Sequence, residues 1–356
     1  MRSCCHAGLV PEPADGPRSG VRGRRPVAAI TLAGALVLGA GLPAAASPEA
    51  PTGPVTRCQI TDPRLPEVSG LVVVGDRMLA MNDGGDQVDV YELDGNCQVL
   101  TVQSAPIDPY DPEDLAVATD GTVWLADTGD NNGVRDTVAL LAIRPDGGSA
   151  VYRLAFPDGP RDVEALLLAP DGTPYLVSKE VLGASKVFRP VAALVGSGVV
   201  GLTEVAGVEF TVTGTPGGPV GRAGQLMVTG GAVSADGRFL ALRTYTDAYV
   251  WSLSGSDVAG ALAAEPTRIA LPESPQGEAI SFTADSSGVV VASEGVPSDI
   301  TVVPLAEPPT PAPASDAATA SDSLAGGGVS PIAAGVVAAA IAAAVVWIGG
   351  RLRRRE

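Results

Sequence analysis

Five times between residues 55 and 305 the chain repeats one pattern, an apolar run, an aspartate and a second apolar run. The segments are SGLVVVGDRMLAMND from Ser69, EDLAVATDGTVWLAD from Glu113, EALLLAPDGTPYLVS from Glu164, TGGAVSADGRFLALR from Thr229 and EAISFTADSSGVVVAS from Glu278. In each, the turn aspartate (Asp76, Asp120, Asp171, Asp236 or Asp285) follows the first residue by seven. Such runs predict β-hairpins, and Asp-Gly in three of them predicts the primed turn, which needs positive φ. Two more β-rich runs follow each hairpin, as in VALLAIRP and AVYRLAF after the second. Four strands recurring at intervals of 44, 51, 65 and 49 residues are the sequence form of propeller blades.

The fifth unit shows DITVVPL as its third strand and then runs into proline-rich sequence, so it lacks a fourth; VTRCQIT, upstream of the first unit, is the spare. The expectation is an all-β, five-bladed β-propeller closed by this N-terminal strand. The alternative is six blades, with one hidden in the long interval Leu182–Leu226. Cys58 lies in the closing strand and Cys97 in the neighbouring blade, and in an oxidising compartment the two are expected to form a disulfide that staples the ring.

The flanks give an address. Arg22, Arg24 and Arg25 precede an apolar run and Ala44-Ala45-Ala46, the order of a secretory signal peptide cleaved after Ala46. Residues 329–350 are an almost uninterrupted Ala/Val/Ile run followed by Arg-Leu-Arg-Arg-Arg. About twenty apolar residues cross the ~30 Å hydrocarbon core, and arginines stay cytoplasmic. The expected order is a signal peptide over 1–46, a short linker over 47–54, a β-propeller ectodomain over 55–305, a Pro/Ala/Ser-rich stalk over 306–328, a transmembrane helix over 329–350 and a basic cytoplasmic tail over 351–356. This reading puts a single-pass protein in the cell membrane with its propeller outside and its C-terminal helix in the lipid.

Charge and the single histidine narrow the chemistry. Between residues 47 and 350 there are 14 basic and 37 acidic residues, a net charge of −23. A surface that acidic repels polyanions, so no nucleic-acid partner is expected. His6, the only histidine, lies in the leader, which excludes Ser-His-Asp and Cys-His catalysis and His-ligated zinc from the ectodomain. Carboxylates, hydroxyls, Lys179, Lys186 and oxygen-ligated metals remain.

In a propeller the first strand of each blade lines the channel, and its start shares a rim with the end of the second strand. That rim collects Ser69, Glu113, Glu164, Thr229 and Glu278 from strand starts, and Asp83, Asp127, Ser178, Arg243 and Ser293 from strand ends. Clustered acids repel one another unless something positive sits among them. Oxygen-only donors favour Ca²⁺, and GDNNG (residues 129–133) adds more of them. The candidate metal ligands are Glu113, Glu164, Glu278, Asp127, Asp83 and Asp130; the candidate substrate contacts are Arg243, Lys179, Ser69 and Thr229. The glycine-rich tract GTPGGPVGRAG is expected as a mobile rim loop over this mouth.

The runs EVSGL, NDGG, VDVYELDG, PEDLAVATDGTVWLADTGDNN, DVEALLLAPDGTPYLVSKE, ALRTYTDAYVW and QGEAISF resemble secreted bacterial propellers of the phytase-like and SdiA-regulated type. The order of channel residues, Glu in the second, third and fifth units and a hydroxyl in the fourth, is similar to that of the five-bladed calcium-activated apyrases. The resemblance implies Ca²⁺ at the mouth and hydrolysis of phosphoester or phosphoanhydride bonds in a small phosphorylated molecule. Glu113, Glu164 and Glu278 would be ligands, direct or through water, with Ser69 and Thr229 completing the ring. The chain departs from such enzymes in its poverty of basic residues at the mouth, where a phosphate is held. A metal-dependent hydrolase is therefore the first expectation. The alternative is a non-enzymatic propeller that binds a ligand or an envelope protein.

Overall fold

The computed structural model describes residues 53–305. The expected signal peptide, stalk, transmembrane helix and tail lie outside the described residues, among which no helix is long and apolar enough to cross a membrane.

The chain forms β1 (Val55–Ile60) and then five successive groups of strands. The first is β2 (Val68–Val74), β3 (Arg77–Asn82), β4 (Val88–Leu93) and β5 (Val99–Ala105). The second is β6 (Pro112–Val117), β7 (Val123–Asp127), β8 (Val138–Ile143) and β9 (Ser149–Ala155). The third is β10 (Val163–Leu168), β11 (Pro174–Ser178), β12 (Ala184–Pro190) and β13 (Val199–Glu209). The fourth is β14 (Val228–Val233), β15 (Phe239–Thr244), β16 (Asp247–Ser252) and β17 (Thr267–Ala270); the last is β18 (Gly277–Phe282), β19 (Gly288–Ser293) and β20 (Ser298–Pro304). Within each group the strands pair antiparallel in chain order. A short parallel pairing of β9 with β13 joins the second and third groups into one eight-stranded sheet. β1 pairs with β20, Val55 opposite Val302, and becomes the outermost strand of the last group. The interval Leu182–Leu226 is filled by β12, β13 and a 3₁₀ turn over Gly221–Gln225.

The first strands β2, β6, β10, β14 and β18 pack side by side in that order, and β18 returns to β2. This is a β-propeller. All six residues of β10 and of β18 are buried, whereas the outer strands β1 and β17 are mostly exposed. The apolar residues fall into five clusters, each lying between two neighbouring groups. Leu71 and Leu93 of the first group, for example, meet Ala279 and Ile300 of the last. The expected disulfide is present: Cys58 and Cys97, 39 residues apart, are bonded and tie β1 to the turn after β4. A loop of that length stabilises the fold by roughly 3 to 4 kcal/mol on the chain-entropy model.

The hairpin turns differ from expectation. Among the Asp-Gly pairs only the glycine has positive φ (Gly121 83°, Gly172 83°, Gly237 69°), so these are not two-residue primed turns. The amides of Gly121 and Gly172 bond back to Ala118 and Ala169, and Asp120 and Asp171 each accept the amide two residues on. The aspartate thus closes the turn with its side chain and leaves the left-handed backbone to glycine.

Candidate metal site at the propeller mouth

Every inner strand carries a register shift at its start, and the residues in the gaps are the periodic ones. The ladder passes from Val68 to Gly70, Pro112 to Asp114, Val163 to Ala165, Val228 to Gly230 and Gly277 to Ile280. Ser69, Glu113, Glu164 and Thr229 are therefore single bulged residues, and Glu278 shares its gap with Ala279. A bulge leaves its extra residue unpaired and re-aims the side chain. Five bulges turn these five side chains out of the ladder at equivalent places.

Glu113, Asp162 and Glu164 come together: one carboxylate oxygen from each lies within 4.8 Å of the others. Glu113 and Glu164 are buried and Asp162 is half-buried. Lys179 Nζ stands 2.5 Å from Glu164 Oε1, with the Tyr245 ring 5.4 Å away. Glu164 Oε2 is buried with no hydrogen-bond partner. Burial first, and then the neighbouring acids, push the carboxyls of Glu113 and Glu164 well above the usual range, and Lys179 lowers both. Asp162 is raised for the same first reason. Asp111 joins the group, raised to about 6 by burial and by Asp162. Gly129 makes room for it: an ideal Cβ there would stand 2.1 Å from Glu113 Oε1 and 2.6 Å from the Asp111 carboxyl. The cluster thus has more carboxyls than cations.

The other expected ligands have partners of their own, although Glu278 still raises the carboxyls of Glu113 and Glu164, and Asp127 that of Asp111. Asp127 pairs with Arg135 at 3.0 Å and accepts the amides of Tyr110 and Asp111. Asp130 accepts the amides of Val134 and Arg135, closing the GDNNG loop, and its own amide donates to Asp162. Glu278 accepts from Gln276 Nε2 at 3.3 Å and lies beside Glu294, whose carboxyl is pushed up to about 9 by burial and by Glu278. Asp83 contributes to that second acidic group.

Three of the expected substrate contacts make hydrogen bonds within the fold. Ser69 Oγ donates to the Glu113 carbonyl and Thr229 Oγ1 to that of Gly277, bonding neighbouring inner strands together. Arg243 is buried and donates to the carbonyls of Ala279 and Ala292 at 2.6 and 2.7 Å. The glycine-rich tract is pinned rather than loose: Gln225 Oε1 accepts the amides of Thr213 and Gly214, and the Gly218 amide donates to Ser274. Sequence reasoning missed Asp162 and Asp111. The available signal was a second periodicity, because each stands two residues before a bulged glutamate.

A hard cation fits the donor set. All the donors are carboxylate oxygens, a 4.8 Å spread matches ligands on opposite sides of an ion bound at roughly 2.4 Å, and an unpartnered buried oxygen is at hand.

No known protein family matches the sequence, and no curated protein matches it. Solved structures give remote likenesses. A putative gluconolactonase is 16% identical, over 65% of this chain and 73% of its own, at a TM-score of 0.37. A gluconolactonase from Xanthomonas campestris is 18% identical, over 67% and 72%, at 0.39. The PQQ-bound aldose sugar dehydrogenase from Streptomyces coelicolor is 12% identical, over 71% and 99%, at 0.38. With these TM-scores below 0.5, the architecture rests on the strand order and the residue roles on the geometry.

Proposed function

We propose that the chain is a five-bladed propeller, one blade for each group of strands, held outside the cell by its C-terminal segment and binding Ca²⁺ at its mouth. The ion recruits an anionic ligand, either a phosphorylated small molecule or an acidic group of an envelope protein. The observation that carries this reading is the convergence of one carboxylate oxygen each from Glu113, Asp162 and Glu164 within 4.8 Å, where Glu164 also keeps a buried, unpartnered Oε2. The Cys58–Cys97 disulfide supports an oxidising compartment. Glu113, Asp162 and Glu164 would hold the ion, with Asp111 beside them. When bound, a hard cation supplies Lewis-acid neutralisation of ligand oxygens.

Binding without turnover is the first reading, because Lys179, the cation beside the cluster, is already occupied by Glu164. Hydrolysis of a phosphoester or phosphoanhydride, in the manner of phytases and apyrases, is the second. It is favoured by the position of Asp111, a half-buried carboxyl beside the three ligands where a general base would stand. Calorimetric titration with calcium chloride, followed by phosphate release from nucleotides and phytate, separates the readings. Calcium binding without release supports the binding module, and calcium-dependent release supports the hydrolase. No heat at millimolar calcium defeats both.

A further inference from the structure

A cavity of about 420 Å³ opens between the fourth and last groups of strands, and none of Asp111, Glu113, Asp162 and Glu164 lines it. Arg243 lines it, 1% exposed. Its hydrogen bonds run from Nη1 and Nε to the carbonyls of Ala279, Ala292 and Thr244. Among the described acids only Glu278 raises its charge affinity through space, and burial lowers the guanidinium to about 9. A buried cation whose hydrogen bonds go to carbonyls, with no carboxylate in direct contact, keeps much of its desolvation cost.

Beside it, Ser274 Oγ is buried with no hydrogen-bond partner. An ideal Cβ on Gly277 would meet Arg243 Nη2 at 1.8 Å and Ser274 Oγ at 2.6 Å, so both polar groups pack against that glycine and lie close to one another. Arg243 and Ser274 both line the cavity, so its two unbonded donors lie together. Elsewhere its lining is acidic: exposed Glu273, Asp299, whose Oδ1 accepts from Gln59, and Glu294, whose Oε1 accepts from Gln276.

We propose that this cavity binds a small zwitterion of the amino-acid class, its carboxylate on Arg243 Nη2 and Ser274 Oγ and its ammonium toward the exposed Glu273 and Asp299. A simple anion would face the carboxylates of Glu273 and Asp299 in a molecule that is already strongly acidic. A simple cation would face the guanidinium. A ligand carrying both charges meets each with its opposite, and the volume falls within the range of small-molecule sites.

The test uses the full-length protein with the twenty common amino acids, screened by shift in melting temperature and then titrated calorimetrically. At least one is expected to bind saturably. Its amide and its N-acetyl derivative should bind at least tenfold more weakly, and chelating calcium should leave the affinity unchanged. Arg243 also bonds two strands, so Arg243→Lys is a poor probe. Ser274→Ala removes only an unpartnered hydroxyl and is expected to weaken binding about tenfold without lowering the melting temperature. The proposal is overturned if none of the twenty binds, if the amide binds as well as the acid, or if Ser274→Ala leaves the affinity intact.

Discussion

Glu113 and Glu164 occupy equivalent bulges in neighbouring groups of strands, yet their partners differ. Glu164 has the Lys179 ammonium at 2.5 Å, while Glu113 has only the distant Ser69 hydroxyl, Oγ to Oε2 3.5 Å. Substitutions around them should therefore act in opposite directions. Glu113→Gln removes a repelled carboxyl, so at pH 8 with calcium chelated the melting temperature is expected to rise by about 2–4 °C, while the rise given by added calcium disappears. Lys179→Met leaves Glu164 buried without its cation and should cost about 3 kcal/mol in chelator, part of it recovered in millimolar calcium. Thermal unfolding of both variants, with and without calcium, checks the pair; equal and calcium-independent losses would remove the ion from the account. The two glutamates were legible in the sequence because they recur seven residues before a turn. Asp162 and Asp111 were not, because their place depends on how the chain enters a bulged strand and on a glycine, Gly129, whose missing Cβ clears the space.

At the scale of elements, the repeat read from sequence corresponds to real hairpins, and even the borrowed outer strand β1 was visible as a β-rich run with no unit of its own. The bulges were not visible. An apolar run gives strand and period but not the single extra residue that shifts the ladder, and that residue decides which side chain faces the mouth. The turns show the same limit, since Asp-Gly fits both a primed pair and an aspartate-closed loop. Asp114, passed over between the bulged Glu113 and the strand that follows, shows what the shift achieves. It is wholly buried in β6, and its carboxylate accepts the amides of Leu115 in its own strand, Leu166 in β10 and Gly231 in β14. Three inner strands are thereby tied at one point. Asp114→Ala leaves three buried amides without partners and should cost at least about 3 kcal/mol, with Asp114→Asn retaining part of that. Denaturant unfolding of the two variants measures it, and a loss below 1 kcal/mol in both would mean that the strands need no such tie.

For the whole molecule, the surplus of buried carboxyls sets the direction of its response to pH. Glu113 and Glu164 are raised well above 4.5, Glu294 to about 9, and Asp111 from 3.8 to about 6, in every case with burial as the first cause. A group raised in the folded state keeps its proton there after the unfolded chain has released its own. The stability it contributes is complete below the unfolded value and is lost as pH climbs toward the folded value. The ion-free protein should therefore weaken steadily from about pH 5 to pH 9. The opposite limb comes from carboxyls held low: Asp62, bonded by Arg64, and Asp236, which burial opposes but Ser234 and Arg238 hold down, are both near 2. Their contribution is present above about 4 and fades as pH falls toward 2, so the two limbs place maximum stability in chelator between about pH 4 and 5. On the proposed reading calcium is expected to oppose the alkaline limb, because an ion held by Glu113, Asp162 and Glu164 would displace the protons that burial retains there, and its affinity would rise with pH. Melting temperatures recorded from pH 4 to 9, in chelator and in millimolar calcium, should diverge progressively above pH 5, with the larger gap at higher pH. Curves that run parallel across that range would show the acids to be satisfied by the protein alone, and the mouth would then be a rim of structural carboxyls without an ion to hold.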